Sequence, residues 1–346
     1  MKRFIFTIIL VFSLAVPASA LEMNAPELTG QAQEIIPEAP ETFGEGLWKL
    51  VKAGVAQVQP DLADSAGICL SLIGAVLLIS LVKTLPGAAE RVVTLVGTVS
   101  IGLILLGPSS HFIELGVETV RELSDYGKLL LPVMTGAMAA EGGVTASAAL
   151  YAGTAAFDTI LGSLISALIV PLLYVFLALA VAHSAVGEDI LKKMRDFVKW
   201  LITWGLKIIL YVFTGFMAIT GVASGTTDAA ALKATKLTIS GMVPVVGNIL
   251  SDASEAVLVS AGVMKNAAGI YGLLAILAIC IVPFLRIGIQ YLLLKLTAAV
   301  CGAFGIKEAT DLINSVSTAM GLLLAMTGTT CLLLLISTVC FMRGVG

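Results

Sequence analysis

The stretch LPVMTGAMAAEGGV, residues 131–144, decides how the chain around it folds. It is apolar and rich in small residues, but Pro132 has no N–H group to donate, and Gly142 and Gly143 favour a turn. We therefore expect no continuous helix through this stretch. About a dozen apolar residues are also too few to cross a bilayer, which requires about 20. The stretch predicts a broken segment that enters and leaves the membrane on one side.

A second stretch, MVPVVG, repeats the pattern at Pro244 and Gly247. Each stretch precedes a long apolar run with another proline in it: Pro171 follows Pro132 by 39 residues, and Pro283 follows Pro244 by the same 39. Matching Pro- or Gly-broken hydrophobic segments are typical of internally duplicated transporters, close to the substrate path. The spacing predicts an internal duplication. Drift toward the few residue types that a bilayer accepts is the alternative explanation.

Carboxylates follow both stretches: Glu141 follows the first, and Asp252 and Glu255 follow the second. A charge deep in a bilayer costs at least about 2.5–3.5 kcal/mol, so it should face a cavity or a partner. We predict a polar path lined by these acids, with Arg286 as the counter-charge. The alternative is that the acids cap short half-helices in headgroup water and that Arg286 extends toward the membrane surface. The candidate path-lining or hairpin residues are Pro132, Glu141, Gly142, Gly143, Pro244, Gly247, Asp252, Glu255 and Arg286.

The composition indicates an integral membrane protein. Of the 346 residues, 58% are hydrophobic and 12% are charged, and the mean hydropathy is +1.03. Such values do not suit a soluble domain. A net charge of −3 gives no support for nucleic-acid binding, which requires a basic face. We therefore expect membrane lipid, and no nucleic acid, as a partner.

The amino terminus has the three parts of a signal peptide. Lys2 and Arg3 precede an apolar run, and Ala18-Ser19-Ala20 is a cleavage site of the small-x-small type. We therefore expect cleavage after Ala20, which places the following acidic, proline-rich segment outside the cytoplasm. The predicted segments are a signal peptide at 1–20, an extracytoplasmic acidic segment at 21–65, a transmembrane hairpin at 66–107, an amphipathic surface helix at 108–128, and membrane repeats at 129–223 and 224–346.

The rest of the chain predicts an all-α polytopic membrane protein with about six transmembrane helices and two re-entrant hairpins. The predicted spans are 66–82, 92–106, 160–182, 201–222, 267–294 and 316–342. We expect the second span to end at Pro108. Basic residues place the turn at 83–91 and the loops at 183–200 and 295–311 in the cytoplasm. If the broken segments crossed the membrane instead, the loop at 183–200 would lie outside.

No enzymatic site is visible in the sequence. It has no phosphate-binding loop with a Lys-Ser/Thr pair, no Gly-x-Ser-x-Gly elbow and no His-Glu-x-x-His motif. The five cysteines and two histidines have neither metal-ligand nor redox spacing. We therefore predict no enzymatic activity, no catalytic residue, no metal and no cofactor.

The second half of the chain also resembles a known family. Thr227-Asp228, Leu232 to Lys236, Val243 to Gly247, Ser251 to Ala253 and Lys265-Asn266 are similar to the stage III sporulation protein AE family, and Leu130 to Met134 and the signal-peptide start fit as well. The resemblance covers most of the chain from about residue 60. It supplies no catalytic motif.

The resemblance implies a part in endospore formation. Members of the family are multi-pass proteins of the mother cell, located in the membrane around the engulfed forespore. They are expected to act with the other products of their operon and with a forespore membrane protein, as a channel-like complex that supports late forespore gene expression.

Two hypotheses follow for the role of this chain. In the first, it is a permease-like component whose hairpins line or gate a path. In the second, it is a structural platform that transports nothing and assembles the other subunits. Small-residue runs at 146–156 and 318–330 favour close helix packing, either within the chain or in a homo-oligomer.

Overall fold

The computed structural model describes residues 31–36, 43–85, 89–140, 144–219 and 267–344. All regular structure in these ranges is helical. The helices are α1 Gln31–Ile35, α2 Phe43–Val58, α3 Asp61–Lys83, α4 Glu90–Ala140, α5 Val144–Leu164, α6 Val170–Val186, α7 Asp189–Ile219, α8 Ala267–Gly302 and α9 Lys307–Gly344, and a π-helical turn at Ile165–Ile169 joins α5 to α6.

Six helical stretches in the described residues are long and apolar enough to cross a membrane. They are Asp61–Lys83, Arg91–Gly136, Ser147–Val186, Asp189–Met217, Gly269–Gly302 and Lys307–Met342. The predicted fold class, an all-α polytopic protein with about six spans, is confirmed. The two re-entrant hairpins and the internal duplication stay predictions.

Helix α9 forms the centre of the bundle. In the most apolar stretch of α9, 94% of the residues are buried, compared with 28% in the most apolar stretch of α3. Helix α8 packs against it in the antiparallel direction, because Gly269 lies beside Met342 at one end and Lys295 contacts Asn314 near the other. Helices α4, α6 and α7 also pack on α9, so the central helix is enclosed by protein.

The short turns between the spans lie together at one end of the bundle. Gly102, near the start of α4, lies against Val181 near the end of α6 and Leu312 near the start of α9. Arg195, near the start of α7, donates a hydrogen bond to Ser315. The starts of α4, α7 and α9 and the end of α6 are therefore neighbours, which agrees with the predicted grouping of the three basic loops on one face.

Helix α4 continues through two prolines. The prediction that the second span ends at Pro108 is wrong. Pro132 also lies inside the helix, so a break in the stretch at 131–144 stays a prediction for the residues that follow Ala140. Each proline removes one backbone hydrogen bond, but the helix packs on both sides of each position. Leu105 and Ile113 are buried around Pro108, and Leu130 to Met134 are largely buried around Pro132, whose own ring is exposed. Burial of the apolar face compensates for the lost bonds.

The basic loops are shorter than predicted. The chain turns at Gly187, which has φ 80°, and α7 begins at Asp189, so most of the predicted loop at 183–200 is helical. Similarly, α8 ends at Gly302 and α9 begins at Lys307, with a turn at Gly305 of φ 76°. Glycine adopts these left-handed conformations without a steric penalty.

Several predictions concern residues outside the described ranges. They are the signal peptide at 1–20, the turn of the first broken stretch at Glu141, Gly142 and Gly143, and the second broken stretch with Pro244, Gly247, Asp252 and Glu255. The described parts of the first broken stretch belong to the end of α4 and the start of α5. The division of the chain into segments stays a prediction.

Candidate functional site

A cavity of about 510 Å³, with polar groups set in a largely apolar lining, lies where α2 meets α3, against the middle of α4 and α8. Its polar lining comes from three separate parts of the chain: Asp61, Asp64 and Ser65 from the start of α3, His111 from α4, and Arg286 from α8. Apolar side chains, among them Ile68 and Phe112, complete the wall. Four of the five polar residues here carry an ionisable side chain, and such residues within the helices of a membrane protein indicate a candidate functional site.

An ion pair crosses the cavity between α8 and α3. The Nε atom of Arg286 donates to Oδ2 of Asp61 at 2.6 Å. The Arg286 side chain is 23% exposed and the Asp61 side chain 42% exposed, so the pair is partly shielded from solvent. A charge-assisted hydrogen bond this short is stronger than one between neutral groups.

The local sequence explains why both charges meet here. Pro60 precedes the first turn of α3, and Asp61 and Asp64 both lie in that turn. A helix amino terminus stabilises negative side chains through its dipole. Arg286 follows Pro283 by one turn in α8, and the long arginine side chain reaches the end of the neighbouring helix.

The α4 wall of the cavity is weakened by Pro108. Gly107 and Pro108 both line the cavity. Because Pro108 has no N–H group, the carbonyl of Ile104 loses its helical donor, and such positions are the usual sites of helix bending. The α4 wall of the cavity therefore lacks one backbone hydrogen bond and also carries His111.

A second polar contact lies in the bundle between α4 and α5. The Ser124 hydroxyl donates to Oδ2 of Asp158 at 2.7 Å, and the Asp158 residue is 6% exposed. Lys128, which pairs with Asp125 at 2.7 Å, lies near enough to act on Asp158 electrostatically. This contact holds α5 to α4 in one register.

The structure describes two of the predicted site residues, which it does not bring together, and adds residues that the sequence did not single out. Of the nine candidate residues, Pro132 and Arg286 are described, and Arg286 has Asp61 as its partner. The predicted pairing of Arg286 with Glu141, Asp252 and Glu255 concerns residues outside the described ranges and stays a prediction.

One sequence signal pointed to the missed acids. Asp61 directly follows Pro60, and Asp64 comes three residues later, at the start of an otherwise apolar helix. Among the described residues, no group of three His, Cys, Asp or Glu side chains is arranged to hold a metal ion.

The comparison with known protein families identifies the chain. The family model for stage III sporulation protein AE matches residues 40–344, which include the cavity and all six predicted spans. The chain belongs to the stage III sporulation protein AE family. This match confirms the resemblance to the family that the sequence indicated.

A curated relative shows how far the similarity extends. The stage III sporulation protein AE of Bacillus subtilis (strain 168) is 22% identical over 205 residues, which cover 59% of this chain and 51% of the relative. The matched region thus spans about half the length of that relative. No solved structure matches the chain.

Proposed function

We propose that this chain is an integral membrane subunit of a channel-like sporulation complex that links the mother cell to the forespore and supports late forespore gene expression. The observation that carries the proposal is a six-span helical bundle in a member of the stage III sporulation protein AE family. The proposed location is the mother-cell-derived membrane around the forespore. The proposed partners are the other proteins of its operon and a forespore membrane protein. No catalytic activity or cofactor forms part of the proposal.

Within that complex, the charged cavity supports a role as a path component. Arg286 and Asp61 are held together where three helices meet, and Pro108 lies in the opposite wall. A permease-like path requires polar groups inside an otherwise apolar bundle, and the cavity supplies them. The predicted path acids Glu141, Asp252 and Glu255 lie outside the described ranges and stay a prediction.

The packing of α9 supports the second candidate function, a structural platform. A pore through the centre of this subunit would require polar space along its axis, whereas the described part of that axis is filled by the enclosed helix α9. On this alternative, the outer helices α3, α4 and α7 present surfaces to other subunits.

The experiment complements a deletion strain of the native spore-forming bacterium with single variants. Asp61→Asn and Arg286→Gln remove one charge each from the cavity pair. Glu45→Gln and Lys49→Gln are matched controls, because that pair on α2 is also short, at 2.7 Å, but is 45% and 54% exposed. The readouts are a late forespore transcription reporter and co-purification of the other operon products.

The outcomes separate the two roles. If the cavity variants lose the reporter signal while the complex still co-purifies, the path role is supported. If complex and signal are lost together, the platform role is supported. Full late forespore transcription in the deletion strain itself would overturn the proposed function.

A further inference from the structure

A cluster of cations lies at the end of the bundle that carries the short turns. Arg195 and Lys199 come from α7, and Lys295 comes from α8. They approach α9 from two sides: Arg195 donates to Oγ of Ser315 at 2.9 Å, and Lys295 donates to Oδ1 of the adjacent Asn314 at 2.5 Å. Helix α9 therefore forms the floor of a groove between α7 and α8.

The charges in this groove are only partly balanced. Arg195 pairs with Asp196 at 3.0 Å, and its side chain is 12% exposed. Lys199 and Lys295 are both half-buried and lie near enough to act on each other electrostatically. In the described ranges, no carboxylate forms an ion pair with either lysine. Two neighbouring ammonium groups with restricted hydration repel each other, and an anion between them removes that repulsion.

Exposed apolar side chains lie beside Lys295 on α8 and, more than a quarter turn away from Lys199, on the outer face of α7. On α8, Leu292 and Leu296 flank Lys295 and are exposed. On α7, Phe197, Trp200 and Trp204 form an exposed stacked series, with ring centroids 5.8 Å and 5.6 Å apart. Tryptophan side chains favour the headgroup level of a bilayer.

We propose that the groove between α7 and α8 binds the headgroup of an anionic phospholipid, with its acyl chains along the apolar side chains of both helices. Lys199 and Lys295 contact the phosphate. Basic pockets between transmembrane helices recognise anionic headgroups in this way. The occupant is a lipid rather than a free anion because exposed apolar surface starts directly beside Lys295 on α8. This site is independent of the charged cavity and of the proposed function.

Tryptophan fluorescence tests the site in the full-length protein. The chain has three tryptophans, so the variant Trp48→Phe leaves emission from Trp200 and Trp204 alone. This variant is placed in phosphatidylcholine vesicles that contain a small fraction of either acyl-brominated phosphatidylglycerol or acyl-brominated phosphatidylcholine. Bromine quenches nearby tryptophan, so the site predicts stronger quenching by phosphatidylglycerol at equal bromine content.

Two double variants test which lysines cause the preference for phosphatidylglycerol. Lys199→Gln with Lys295→Gln should reduce the preference for phosphatidylglycerol about thirtyfold, the loss expected for two basic residues near an anionic headgroup. Lys192→Gln with Lys193→Gln removes the same charge from exposed positions on α7 and should leave most of the preference. Unchanged emission in pure phosphatidylcholine shows that the variants remain folded.

Three results would overturn the proposal. Equal quenching by the two brominated lipids would mean that the groove does not select an anionic headgroup. An equal loss in both double variants would mean that the whole face attracts anions diffusely. Loss of the preference on addition of inorganic phosphate would mean that the groove binds a free anion rather than a lipid.

Discussion

Arg286 and Asp61 are 225 positions apart in sequence, yet Nε of the first lies 2.6 Å from Oδ2 of the second. The pair joins the middle of α8 to the start of α3. Asp64 and His111 line the same cavity.

The loss of stability should depend on which charge of this pair is left without its partner. Asp61→Asn leaves Arg286, which is 23% exposed, without its partner, whereas Arg286→Gln leaves the more exposed Asp61, at 42%. We expect Asp61→Asn to destabilise the folded protein by about 1–2 kcal/mol and Arg286→Gln by less. The measurement is thermal unfolding in mild detergent, followed with a thiol-reactive dye, because all five cysteines are buried in the folded state. Equal losses would contradict this assignment of exposure.

The packing of α3 against α4 can be tested with two glycines of the same hairpin. A Cβ added at Gly97 would lie 2.6 Å from Cδ1 and Cγ1 of Ile79, whereas one added at Gly74 would meet nothing within 4 Å. Gly97→Ala should therefore destabilise the protein by about 1–3 kcal/mol. Gly74→Ala, the matched control, should be neutral or slightly stabilising. The same unfolding measurement compares them, and similar values for both variants would show that the two helices do not pack in this register.

The contact between Ser124 and Asp158 predicts a coupling between two substitutions. Ser124→Ala leaves the buried carboxylate without its hydroxyl donor and should cost about 1–3 kcal/mol. In the background of Asp158→Leu, where no carboxylate remains, the same change should cost much less. A double-mutant cycle on unfolding in detergent measures the difference. Additive effects would mean that the two side chains do not interact.

Replacing Gly187 or Gly305 by alanine should lower the stability of the protein through backbone conformation alone. Both have positive φ, and a Cβ at either position would meet nothing within 4 Å. Alanine should therefore destabilise each turn by about 1 kcal/mol through backbone strain alone. Gly162→Ala, near the end of α5 where an added Cβ meets nothing within 4 Å, is the control and should cause no loss. If Gly187→Ala and Gly305→Ala unfold at the same temperature as the parent protein, the left-handed conformation of the two turns is contradicted.

The fold class was predictable from the sequence because bilayer-spanning helices require long apolar runs, and these are visible without any tertiary information. The grouping of the basic loops followed from the same sequence, since Lys83, Arg91 and the lysines near 193 lie between apolar runs. The ends of the helices were less predictable. Pro108 and Pro132 weaken a helix locally, but only the packing around them determines whether the helix continues.

The candidate site was predictable only in part, for a different reason. The cost of burying Arg286 indicated that a partner was needed, but the sequence did not identify which acid would supply it. Asp61 was overlooked because it lies at a helix end, where an aspartate is favourable without any partner. The pairing depends on how α3 and α8 align, and that alignment is a property of tertiary packing.

The most direct test of the topology is cysteine accessibility in intact sporulating cells. Single cysteines replace Thr84, Lys193, Lys307 and Glu141 in a cysteine-free protein that still supports spore formation. A membrane-impermeant thiol reagent is then added from outside the membrane. The bundle predicts that Thr84, Lys193 and Lys307 are protected together, as residues of one cytoplasmic face, and that Glu141 between α4 and α5 is labelled. Labelling of Lys193 while Thr84 stays protected would contradict the shared face and, with it, the six-span bundle.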